Sequence, residues 1–332
     1  PGYSQNGGAL NGDGDLTAKS GFYWSSGTMT GSGKTVVGAG VTNGIIHTVD
    51  YGVAEPVLAR TLVNNGVISH QTGYFASNLT LTSAGVLDNR GTYLFTDNTG
   101  INGGGAIINS GVFGKSGGGG ATNIYATLTN TDGGSIDISS GRINTLAGFS
   151  ATGIGNLNGT LVMGGGSGTV SGELNGTGTL MLNAGVLTTD PSGFKVPGYS
   201  QNGGTLNGDG DLTAKSEFYW SSGTMTGMGK TVVGAGVTNG IVHTTDYGVS
   251  EPVLSRTLEN NGVISHQPGY YANNLTLTTG GVLDNRGTYL FTDNTGIDGG
   301  GGAIINSGVF GKTGGGGATN IYATLTNTNG GA

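Results

Sequence analysis

Few residues in this chain could do chemistry: only 9% of its 332 positions are charged, and none is Cys. The acidic groups that cluster are Asp13 and Asp15 in Asn-Gly-Asp-Gly-Asp-Leu, which return as Asp209 and Asp211. Gly and Asp alternating through a turn can present hard carboxylate oxygens to Ca2+. Such turns hold metal when they recur in tandem. Here the segment occurs once per 196 residues, so a solvated turn and no cofactor are expected. His47, Asp50, Tyr51 and Glu55, followed by Arg60 and His70, include the types needed for an acid/base pair. A dense catalytic cluster is hard to assemble from so few charges, and the chain is not expected to be an enzyme. The third group is aromatic. Phe22-Tyr23-Trp24 and Phe218-Tyr219-Trp220 hold the only two Trp, and Tyr74 and Tyr270 begin a second pair of aromatic steps. Exposed rings stack on sugars and anchor interfaces, whereas alternate members of a strand fill a core. Tyr23, Trp24, Tyr74, Tyr219, Trp220 and Tyr270 are therefore the candidate ligand-binding residues.

What would position these groups is a short repeating unit, apolar-x-Asn-x-Gly-x-apolar. It reads Leu62-Val-Asn64-Asn-Gly66-Val-Ile68, then Leu87-Asp-Asn89-Arg-Gly91-Thr-Tyr93, then Ile107-Ile-Asn109-Ser-Gly111-Val-Phe113, with a looser copy at Leu128-Thr-Asn130. The Asn positions step by 25, 20 and 21 residues, and Asn43 lies 21 before Asn64. A fixed step in this range marks a repeat architecture whose units must stack to bury their apolar faces. Asn43, Asn64, Asn89, Asn109 and Asn130, with Asn260, Asn285, Asn306 and Asn327 in the second copy, are expected to form side-chain amide ladders along the stack. Of the 332 residues 73 are Gly, interleaved with Val, Ile, Leu, Thr and Tyr in runs such as Gly91-Thr-Tyr-Leu-Phe95. Those are strand formers bounded by turn formers, and no segment carries a helical period. The fold class is therefore all-β, a right-handed parallel β-helix with about 20 residues per coil. Stacking strands at about 4.8 Å gives each long repeat roughly 10 coils and on the order of 45–50 Å of rod.

A larger repeat lies on top. Residues from Pro1 return almost verbatim from Pro197, with one extra Gly in the run after Asp298. Residues 1–196 form a first long repeat and 197–332 a second, truncated one that continues the same rod. The chain reads as a window in a longer array, with Leu187 to Val196 as the irregular connection between copies. The pair Val63 and Glu259 marks an outward position, since a carboxylate cannot replace a buried Val without a large desolvation cost.

The net charge of −7, without a basic patch, argues against nucleic acid, and no apolar run is long enough for a membrane span. Without Cys there are no disulfides or thiolate metal sites. The Leu-x-Asn-x-Gly-x-apolar rungs resemble the β-helical regions of bacterial surface adhesins of the autotransporter and filamentous-haemagglutinin type. Leu174-Asn-Gly-Thr-Gly-Thr-Leu-Met-Leu-Asn-Ala-Gly-Val-Leu-Thr188 is similar to the autotransporter-associated β-strand repeat, and Leu10-Asn-Gly-Asp-Gly-Asp-Leu16 shares its opening. The resemblance implies an extracellular, cell-surface location and use in adhesion, cell–cell contact or matrix building, and the near-identical long repeat with no chemistry in it leads to the expectation of a structural fibre or stalk. Open rungs at the ends of such a stack are edge strands, so further copies of the chain, end to end or side by side, are the expected partners. The alternative is an adhesin that binds glycans or other cells through exposed aromatics.

Overall fold

The computed structural model describes residues 1–46, 55–71, 78–131, 133–153, 155–242, 251–268 and 274–332. All regular structure among them is β, and the strands pair in parallel as a β-solenoid. Among the described residues this makes about 14 turns of roughly 21 residues each. Two compact units can be described: Pro1–Gly166 with Leu174–Gly176, and Ser167–Glu173 with Thr177–Ala332. The long-repeat boundary at Val196 and Pro197 falls inside the second unit. Leu187 to Val196 is not the irregular connection that the sequence suggested. Thr179–Gly208 is one strand of 30 residues. It follows its neighbour Leu212–Met225 through register shifts at Val196/Gly198, Gln201/Asn202 and Asn202/Thr205. Bulges bend the strand at the corners, so the ladder continues where a loop was expected.

In the first unit the motif copies stack in register. Leu62 pairs with Leu87, Leu87 with Ile107, Ile107 with Leu128, and Leu128 with Phe149. All five are at most 1% exposed and form one apolar column of the core. A second column runs Ile68, Tyr93, Phe113, Ile136. The second unit repeats the first column as Leu258, Leu283, Ile304, Leu325 and the second as Ile264, Tyr289, Phe310. Like side chains stacked at the inter-strand spacing exclude water along the stack, and this burial drives each turn onto the last.

The Gly of the motif follows from the same stacking. Gly91 and Gly111 sit above one another where the chain turns after the Asn. A Cβ on Gly111 would meet the carbonyl of Gly91 and the backbone of Arg90. Only a residue without a side chain allows the two corners to close to hydrogen-bonding distance, seen at Val112 N–H to Gly91 O, 2.7 Å.

Val63 corrects one expectation. By alternation it lies in the outer column with Val36 and Asp88, yet it is only 4% exposed. Its counterpart Glu259 is also nearly covered, and Lys230 Nζ at 2.9 Å and Arg286 at 3.0 Å compensate the carboxylate. Paired cations make this substitution tolerable; the position is not open to solvent.

Candidate functional site

Four of the predicted Asn residues in the first unit meet as a buried ladder. Asn64 pairs in register with Asn89, Asn89 with Asn109, and Asn109 with Asn130. Each amide donates from Nδ2 to the next Oδ1, at 2.7, 2.6 and 2.6 Å. Each spare Nδ2 proton goes to a backbone carbonyl: Thr92 O for Asn64, Val112 O for Asn89, and Ser135 O for Asn109. In the second unit Asn260, Asn285, Asn306 and Asn327 repeat the ladder at 2.7, 2.7 and 3.0 Å. Spacing alone misaligns one position, because the backbone of Asn43 is out of register with Asn64. Asn43 lies in Thr42–Ile46 and pairs in register with Ile68, after the corner and not before it. The residue aligned with Asn64 in the preceding turn is Val37, because that turn is longer than the Asn spacing suggested.

The aromatic candidates separate. Trp24 and Trp220 are 1% and 0% exposed and donate their indole N–H to Ser26 O and Ser222 O. They are core residues and cannot serve as a binding platform, which corrects the expectation for both. Strand alternation turns their neighbours outward: Tyr23 is 54% and Tyr219 42% exposed. In the same columns Tyr23 is flanked by Ser4 and Gly44, and Tyr219 by Ser200 and Gly240, so neither ring has a bulky cross-strand neighbour. Tyr74 and Tyr270 lie outside the described residues.

Asp13, Asp15, Asp209 and Asp211 are exposed. Asp13 accepts a hydrogen bond from Ser32 Oγ at 2.7 Å. Asp15 and Asp211 accept the backbone N–H of Lys34 and Lys230, at 2.7 and 2.8 Å. These carboxylates tie one turn to the next. Among the described residues no three His, Asp or Glu gather as metal ligands. Of the acid/base candidates, His47, Asp50 and Tyr51 lie outside the described residues. The others hold separate places. Glu55 accepts the backbone N–H of Asn78, Arg60 donates to Thr30 O and Gly14 O, and buried His70 shares a 2.8 Å hydrogen bond through Nδ1 with Tyr93 Oη.

Several buried polar groups carry no motif in the sequence. His70, Tyr93, Phe95 and Phe113 form an aromatic cluster with centroid distances of 5.2–5.9 Å, repeated by His266, Tyr289, Phe291 and Phe310. Burial raises the Tyr93 and Tyr289 phenols well above their ordinary value. Arg256 donates to the carbonyls of Thr226, Gly229, Gly210 and Lys230. Burial pushes its pKa down to about 10, which leaves it charged at neutral pH. Lys115 is fully buried and donates to Asp97 O at 2.6 Å and to Asn98 Oδ1 and Thr122 Oγ1 at 3.1 Å. The one hint in the sequence is a Lys inside the apolar run Gly-Val-Phe-Gly-Lys115, just before a Gly run. No protein-family model, curated protein or solved structure matches this chain.

Proposed function

We propose that this chain is a structural repeat section of a large extracellular fibre or stalk at a bacterial cell surface or in the matrix. The observation that carries this reading is the Asn ladder, present in both units with hydrogen bonds of 2.6–3.0 Å between successive side-chain amides. Asp15, Arg60 and Lys115 also reach from one turn to a neighbouring one. That is the pattern of a load-bearing element, and it supports a non-enzymatic role. Further copies of the chain are its partners, end to end or side by side. Immunogold electron microscopy of the source cells tests this, with an antibody raised against the chain. Continuous fibres labelled at regular intervals are expected, and label confined to the cytoplasm would refute it.

The exposure of Tyr23 and Tyr219, 196 residues apart, favours a second reading as an adhesin. Rings repeated along a scaffold suit multivalent weak binding to glycans. The combined Tyr23→Ala and Tyr219→Ala variant should then lose binding to glycan-coated surfaces without losing its fold. Unchanged binding would remove the case for these rings.

A further inference from the structure

The environment of Lys115 is more specific than that of a surface amine. Its register neighbours are Phe95 in one adjoining turn and Ile138 in the other, both fully buried. Its Nζ lies 3.1 Å from Oδ1 of Asn98, which belongs to the corner of the preceding turn. That same oxygen accepts the backbone N–H of Gly120 at 3.0 Å. A Cβ on Gly118 or Gly120 would run into the Asn98 amide, so the Gly run folds closely over it. The second copy repeats the arrangement: Lys312 Nζ is 2.9 Å from Asn294 Oδ1, which accepts the Gly317 N–H at 2.9 Å. An amine, a carboxamide and a backbone donor on the carboxamide oxygen are thus brought together twice, in a chain with no Cys to cross-link.

We propose that Lys115 and Asn98 are the two halves of an intramolecular isopeptide cross-link that forms without a cofactor. The neutral amine is the nucleophile, and burial shifts Lys115 in that direction by lowering its pKa, against the opposing charge of Asp97. Nζ moves from its contact with Oδ1 onto Cγ of Asn98, and a C–N bond forms. The Gly120 N–H is placed to stabilise the oxyanion that develops on Oδ1. The Cγ–Nδ2 bond then breaks. A proton from Nζ reaches the departing nitrogen through the Thr122 hydroxyl, which already lies 3.1 Å from Nζ. Amine plus carboxamide gives a secondary amide plus ammonia, so atoms and charge balance with no oxidant or co-reactant. The product joins two successive turns covalently and resists their separation under load. Lys312 is exposed in this chain whereas Lys115 is enclosed, so the reaction is expected at Lys115 first.

Intact-protein and peptide mass spectrometry of the whole chain tests this. One cross-link removes ammonia, about 17 Da, as amine attack on a carboxamide requires. Trypsin should then fail to cut after Lys115 and yield a single peptide, Gly91 to Arg142, lighter by that mass. Lys115→Arg and Asn98→Ala should each restore the full mass at this site. Recovery of unmodified peptides ending at and beginning after Lys115 would overturn the proposal and leave the amine as a hydrogen-bonding cap. A loss of ammonia that persists in Lys115→Arg, or that maps to an Asn-Gly succinimide, would overturn it as well.

Discussion

At the scale of the residue, the amide ladder makes a sharp distinction between chemically identical side chains. Asn89 accepts from Asn64 and donates to Asn109 and to Val112 O, all in the interior. Asn89→Ala leaves the Asn64 donor and the Asn109 acceptor without their partner, at about 1–3 kcal/mol for each buried group left unpaired. Asn327 is exposed, and its loss should cost much less. Chemical denaturation of the two variants should show a clear drop for Asn89→Ala and a small one for Asn327→Ala; equal effects would mean that the ladder adds nothing. The ladder was legible in the sequence because a small polar residue recurred at the coil step. The fate of the aromatics was not. Phe22, Tyr23 and Trp24 have similar propensities, and only the direction of the strand relative to the core makes the first and third buried and the second exposed.

At the scale of the element, Glu259 in the strand Thr257–Asn260 shows how a turn of the solenoid accommodates a charge. Burial raises the pKa of this carboxyl, but hydrogen bonds from Asn261 and Lys230 and the charges of Arg286 and Lys230 outweigh it, so the net shift is downward. A depressed carboxyl contributes stability above its unfolded value, and that contribution is lost as pH falls through the folded one. Glu259→Val should therefore flatten the acid limb of the stability curve below about pH 4.5, the unperturbed carboxyl range. An acid limb identical to wild type in urea titrations at several pH values would contradict this. The sequence marked the position as outward because it weighed only desolvation. The compensation comes from Lys230 and Arg286, 29 and 27 residues away, and the step between turns hides such partners from a local reading.

At the scale of the whole molecule, each unit buries phenols that must stay neutral. Burial raises Tyr93 in the first unit and Tyr199 and Tyr289 in the second, with Arg256 opposing the shift only at Tyr199. A raised phenol stabilises the fold fully below its unfolded value of 10.0, and this stability is lost as pH rises toward the folded value. Thermal unfolding followed by far-UV circular dichroism should show a Tm that holds to about pH 9.5 and then falls, a window set by the ordinary phenol range. Tyr289→Phe should soften the fall, and an unchanged Tm up to about pH 12 would show that these phenols are not buried in solution.

The chain determined its fold class by itself. Short β-forming runs, Gly at the corners and an apolar-x-Asn-x-Gly step leave a stacked parallel solenoid as the way to bury the apolar faces, and both the Asn ladder and the turn length of about 20 residues follow from that step. Only the tertiary structure decided which turn each residue joins. Turns of unequal length put Asn43 out of register with Asn64, bulges carried one strand through the long-repeat boundary, and stacking brought Lys115 beneath the Gly run onto Asn98. The physical reason is common to all three. Sequence periodicity fixes the average step, while register is set by the packing and hydrogen bonds of each particular turn on its neighbour.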